Sequence, residues 1–401
     1  MDSSFYKKNN MKYNLYPQTK KCFEIFSKLF ISKHKYNIIK KNLSEIISKI
    51  FNTEKEDIYY FSSASEALEE ILKILKQTSK IKRVYIPSFS CMELADAICR
   101  SNCDLKVYDI ENNLKPSLNT LVEIGADRNG VLILPSLFGK NVYSKSFLDI
   151  LSKLTIPVIL DEAQSFPNIS TKLHIHLKKY ATIISFGKSK PIAGIGGGAF
   201  INNNLIPNLI VKDMKKNIKE DTYIQDIFKE ILERFNNILI EHNLRKNNKT
   251  MYRSLEDLVL NKSDNNIKTE NISKLQIVMA YYNIKKYRKV YLRRNIKNQI
   301  SMELFGDKNI IDYNFLPLKV DNTRRYTTMK LLADKGIQST IYYYPLNLIP
   351  YYTNKFDLEE CKNSQKIFED VIIVPFGIYY SNKKINQIIK IINNLKRKDC
   401  I

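Results

Sequence analysis

Residues 156–168 read IPVILDEAQSFPN, and residues 181–203 read ATIISFGKSKPIAGIGGGAFINN. The apolar runs 157–160 and 181–186 have the length and β-branched content of buried strands. Each ends in polar residues: Asp161 and Gln164 follow the first, and Ser185, Lys188 and Lys190 close the second. In open α/β sheets ligands gather where strands end, so a carboxylate and an amine placed there face one site. Gly194, Gly196, Gly197 and Gly198 then let the backbone turn sharply and approach a bound group.

A lysine held among apolar neighbours acts as a neutral amine and forms a Schiff base with an aldehyde. Pyridoxal phosphate is the aldehyde cofactor that uses such a lysine, and its ring nitrogen needs a carboxylate partner. Asp161 suits that partner and Lys190 that amine. The same two residues also read as a structural ion pair at a sheet end, and spacing alone leaves both readings open.

The combination of D-E-A-Q at 161–164, S-F-x-x-S-K at 185–190 and the glycine cluster resembles the DegT/DnrJ/EryC1/StrS sugar aminotransferases. These are fold-type I pyridoxal phosphate enzymes. The resemblance implies an α/β fold: a large, mostly parallel sheet domain and a smaller C-terminal α+β domain. The boundary is placed between residues 1–268 and 269–401. It implies that Lys190 bonds the cofactor aldehyde and moves protons, that Asp161 keeps the ring nitrogen protonated, and that Gln164 faces the ring's 3-oxygen. Ser185 and the turn of Ser63, Ala64 and Ser65 are implied to hold the phosphate. That turn opens a helix (Ser62-Ser63-Ala64-Ser65-Glu66-Ala67-Leu68), where unpaired N–H groups suit an anion and ordinary N-capping is the plainer account.

The implied reaction takes an amino group from an amino acid, most often glutamate, to a keto sugar linked to a nucleotide, in a homodimer. Some positions depart from the family pattern. Cys91 stands where an aromatic usually stacks on the cofactor ring, Thr269-Glu270-Asn271 replaces Asn-(Tyr/Phe)-Arg, and Asn347 replaces a histidine. Two other readings stay open beside this one: a pyridoxal phosphate enzyme of another reaction, such as elimination or decarboxylation, and a non-catalytic interaction protein on the same fold.

With 401 residues and 44% hydrophobic content, the chain can bury a substantial core. No apolar run has the length of a membrane span, and residues 1–14 lack a signal-peptide core, so a cytoplasmic location without a membrane partner is expected. The formal charge of +23 comes from lysines scattered among Asn and Ile. No basic helix or RNA-binding aromatic motif accompanies them, so nucleic acid is not an expected partner. The six cysteines form no CxxC pair, and no metal site is expected. Cys99 and Cys103 read as thiols on one helix face, and His174 and His176 as solvated.

Along the chain, helices are expected over 42–51, 62–75, 92–100 and 327–335, from 273 to about 305, at 383–396, and within 206–268. Strands are expected at 59–61, 83–86, 105–110, 131–135, 315–320, 338–343 and 371–375.

Overall fold

The computed structural model describes residues 31–139, 143–187, 189–192, 194–207, 210, 272–291, 315–376 and 380–396. The described chain enters on α1 (Lys33–Phe51) and β1 (Ile58–Phe61), followed by α2 (Ala64–Ser79), β2 (Arg83–Pro87), α3 (Met92–Arg100) and β3 (Asp104–Tyr108). It continues through α4 (Leu118–Ala126), β4 (Gly130–Pro135), α5 (Lys145–Leu151), β5 (Val158–Asp161), α6 (Thr171–His176), β6 (Tyr180–Ser185) and β7 (Gly198–Asn203).

These strands form a seven-stranded sheet in the order β1-β7-β6-β5-β4-β2-β3. The pairs from β3 across to β6 are parallel, and β7 runs antiparallel to both β6 and β1. Every residue of β4, β5 and β6 is buried. That is why these strands read as unbroken apolar runs: a parallel sheet has helices on both faces and no solvated side to alternate toward. One face packs α2 and α3 through Leu68, Ile71, Leu72 and Ile98. Toward α4 and α5 the other buries Leu121, Ile124, Phe147 and Leu151.

α1 buries Tyr36, Ile39, Leu43, Ile47 and Phe51, a stripe at helical spacing. It packs on α7 (Lys274–Tyr291) through Ile277, Val278, Tyr281 and Ile284. The remaining described elements are β8 (Phe315–Lys319), α8 (Arg325–Asp334), α9 (Pro350–Thr353), α10 (Lys362–Asp370), β9 (Val371–Pro375) and α11 (Asn382–Lys396). β8 and β9 pair antiparallel and share a core with α8 and α11 built on Leu318, Leu332, Ile372 and Ile388.

Two expectations need correction. Residues 338–343 do not form a strand. Thr340 exchanges both backbone bonds with Ile373, and the pairing stops there, because the chain turns inward to carry Tyr343 to the large sheet. Cys103 does not share a helix with Cys99, since α3 ends at Arg100. The helices expected within 211–268, the Thr269-Glu270-Asn271 segment and the chain from 292 to 314 lie outside the described residues.

The C-terminal segment is bonded to the loops at the sheet's carboxyl edge. Leu346 N–H donates to the Ser88 carbonyl at 2.9 Å, and the Ser88 hydroxyl donates to Asn347 Oδ1 at 2.6 Å. Tyr352 donates its hydroxyl to Asp96 at 2.6 Å. The Asp109 carboxylate accepts from Asn363 N, Ser364 N and Ser364 Oγ at 2.7–2.9 Å, which caps α10 from another part of the chain.

Candidate active site

Because β4, β5 and β6 run parallel, their carboxyl ends lie side by side. Asp161 is the last residue of β5, Ser136 directly follows β4, and Ser185 closes β6. From Ser185 the chain turns through Gly187 and back, Lys190 N–H donating to the Gly187 carbonyl at 3.1 Å. A Cβ on Gly187 would lie 3.3 Å from Ser185 Oγ and 3.5 Å from Lys190 Cγ, so those side chains flank the bare position.

Asp161, Gln164 and Lys190 line one cavity together with Cys91, Ser136 and Tyr343. The cavity is small, about 20 Å³, on the scale of one or two waters. Apolar walls come from Leu94, Pro135 and Leu137.

Asp161 is 8% exposed. Burial pushes its carboxyl up to about 6, against the pull of the nearby Lys190 charge and the Ala163 N–H bond. A cation placed against it would restore the ionised form. Burial likewise pushes the Cys91 thiol up to about 11, so the group at the departing position is a neutral thiol near neutral pH.

Gln164 is held at both ends of its amide. Phe138 N–H donates to its Oε1, which fixes the orientation and turns Nε2 toward the Tyr343 hydroxyl. The Tyr343 ring stacks on Phe138, 6.1 Å between centroids at 23°, and meets Phe89 edge-on at 5.6 Å.

Ser63, Ala64 and Ser65 stand beside this cavity and are not among its lining residues. Ser63 caps α2, its hydroxyl accepting from Glu66 N–H at 3.1 Å. Ala64 begins that helix. Ser65 donates to Glu93 Oε2 at 3.2 Å. What joins the turn to the site is Gly198, the partner of Ser185 across β6 and β7. A Cβ there would fall 2.5 Å from Ala64 N. Only a hydrogen at that position lets the start of α2 come so near the end of β6.

Three contributions were missed in the sequence. Tyr343 reaches the cavity from 179 positions beyond Gln164, and nothing local marks it. Gln276 lies at the start of the helix expected from 273, with no role assigned there. It forms a reciprocal cap with Ser273, with bonds of 2.9 and 3.1 Å, and donates to the Ser62 carbonyl at 3.3 Å, so it holds the turn before α2.

His174 is not solvated: it is 7% exposed, 3.7 Å from Glu162, with its Nδ1 3.1 Å from the Tyr180 hydroxyl. Burial alone would push the Glu162 carboxyl up, but His174, Ser165 and Ser136 together hold it below its usual range. His174 sits on the short helix α6, and its ring packs against Phe51 and Tyr180, contacts that its local sequence does not announce.

The sequence profile of the DegT/DnrJ/EryC1/StrS aminotransferase family matches residues 53–228 and 279–393. The chain belongs to that family. No curated protein sequence matches this DegT/DnrJ/EryC1/StrS chain. Among solved structures it resembles the putative sugar aminotransferase Spr1654 from Streptococcus pneumoniae in its PMP form, with 16% identity, a TM-score of 0.66 and coverage of 97% of this chain and 100% of that one. It also resembles Helicobacter pylori PseC, an aminotransferase of pseudoaminic acid biosynthesis, with 16% identity, a TM-score of 0.60 and coverage of 94% and 95%. The E. coli GDP-4-keto-6-deoxy-D-mannose-3-dehydratase, with bound hydrated PLP, gives 14% identity, a TM-score of 0.66 and coverage of 95% and 99%. These likenesses establish the shared fold.

The family's cofactor is pyridoxal phosphate, and the donor set fits it. A buried carboxylate suits a ring nitrogen, a lysine beside it suits the aldehyde, and the side-chain-free approach at Gly198 brings a helix N-terminus to the same strand ends. Among the described residues no group of His, Cys, Asp and Glu is arranged for a metal, and no helix is long and apolar enough to cross a membrane.

Proposed function

We propose that this enzyme moves an amino group from an amino acid, with glutamate as donor, onto the keto group of a nucleotide-linked sugar. It would act as a homodimer, with residues 1–268 and 269–401 as its two parts. The supporting observation is the single cavity that brings Asp161, Gln164 and Lys190 together. When bound, pyridoxal phosphate supplies an aldehyde to take up the nitrogen and a ring able to stabilise the negative charge left by a departing proton.

The residues would divide the work as follows. Asp161 faces the ring nitrogen and keeps it protonated, the ring cation in turn favouring its carboxylate over its neutral form. Lys190 holds the aldehyde carbon covalently at rest. Its amine, once free, would carry a proton from the donor's α-carbon to the cofactor and, in the second half of the reaction, from the cofactor to the sugar carbon that receives nitrogen. Gln164, fixed by Phe138 and Tyr343, presents its amide to the oxygen-bearing edge of the ring. Ser185 and the Ser63–Ala64–Ser65 turn hold the phosphate. Tyr343, packed on Phe89 and Phe138, would shield one wall of the cavity from water.

The test compares the unmodified chain with Lys190→Ala, each given pyridoxal phosphate and then borohydride. A fixed adduct on the peptide carrying residue 190, lost in the variant, is expected; an adduct elsewhere overturns the assignment. Elimination from a sugar is the second reading, because the dehydratase superposes as well as the Streptococcus protein does. Glutamate labelled with ¹⁵N separates the two. Transfer leaves the label on the sugar, and elimination leaves the sugar without nitrogen.

A further inference from the structure

Two helix amino termini converge beside the cavity. α2 begins at Ala64, and α3 begins at Met92 after Cys91. Both expose N–H groups and the positive end of a dipole, so the space between them favours negative charge. In this chain that space already holds a carboxylate. Glu93, in the first turn of α3, accepts the Ser65 hydroxyl of α2 at 3.2 Å. Its neighbours Cys91 and Leu94 line the cavity, and its charge acts on both Cys91 and Asp161.

We infer that Glu93 sets how tightly the cofactor phosphate is held: its carboxylate takes the Ser65 hydroxyl at rest and must swing away when phosphate arrives. This rests on the proposed reading of the Ser63–Ala64–Ser65 turn as the phosphate cup. The Ser65 hydroxyl has one proton, so it cannot donate to Glu93 and to a phosphate oxygen together. Two carboxylates, Glu66 and Glu93, border the turn, and they differ in freedom. Glu66 is buried, with its N–H on Ser63 and its carboxylate on the Ser62 hydroxyl, so it stays. Glu93 is exposed and can rotate into solvent at small cost. While it remains close, it still repels a dianion, which lowers affinity for the phosphate more than for the ring.

The experiment measures dissociation constants of pyridoxal phosphate and of phosphate-free pyridoxal for the unmodified chain and for Glu93→Gln, by equilibrium dialysis at low salt. Glu93→Gln should bind pyridoxal phosphate roughly three- to tenfold more tightly, the range of exposed charge interactions near a helix terminus. Pyridoxal binding should change much less between the two proteins. Repeating the comparison at about 1 M salt, where screening acts within about 3 Å, should shrink the gain. Equal or weaker binding of pyridoxal phosphate by the variant overturns the inference, as does an equal gain for pyridoxal. If the unmodified chain gives no borohydride-fixed adduct at Lys190, the reading of the pocket falls and this inference with it. If the adduct forms and only the affinity comparison fails, the pocket reading stands alone.

Discussion

Asp161 shows what a residue gives up when it is placed for a ligand. Its carboxyl sits at about 6 against an ordinary 3.8. Between these values the folded chain binds the proton that the unfolded chain has already released, so stability falls as pH rises through the window. Without cofactor, Asp161→Asn should therefore unfold at higher denaturant concentration than the unmodified chain at pH 7. The difference should be on the order of 2–3 kcal/mol, taking about 1.4 kcal/mol per pKa unit. It should shrink as pH falls through the window and vanish below about pH 3, where both states are protonated. Urea titrations at the two pH values check both parts, and an unchanged midpoint at pH 7 counts against a buried, raised carboxyl. Asp161 and Lys190 were legible because strand ends are local in sequence. Tyr343 and His174 were not, since one arrives from a distant segment and the other is buried by packing that periodicity does not encode.

At the scale of elements, β5 and β6 were readable because a strand buried on both faces carries its signature in consecutive residues. The segment 338–343 misled for the opposite reason. It has strand composition, yet β9 is already paired with β8 and accepts a bond pair from Thr340 alone. The meeting of β7 with the start of α2 had only a glycine to announce it. A methyl group on Gly198 would lie 2.5 Å from Ala64 N and 2.9 Å from the Ile184 carbonyl, backbone atoms that cannot rotate away. Gly198→Ala should cost about 1–3 kcal/mol, the usual range for overpacking. It should also push the start of α2 outward and weaken pyridoxal phosphate more than pyridoxal. Chemical denaturation and the paired affinities check these two effects separately.

For the whole molecule, a mostly parallel sheet flanked by helices was readable from strands alternating with helices, while the bonds from residues 346–364 back to it were not. Asp109 lies in the strand expected at 105–110, which gave no sign that it caps α10 some 250 positions later. Asp109→Ala removes that cap and should lower stability by about 1–2 kcal/mol. Proteolysis should then appear first near α10, with the Lys190 adduct still forming; cleavage unchanged from the unmodified chain would contradict the strut.

The reach of Tyr343 across to Gln164 also sets an order of events during synthesis. A nascent chain halted on the ribosome after β7 already carries Asp161, Gln164 and Lys190, but neither the phenol that holds the glutamine amide nor the clasp on Ser88. Such a chain should fail to capture the vitamin-derived aldehyde until the segment through Asn347 has emerged. Stalled intermediates of increasing length, scored by borohydride fixation, would date that moment.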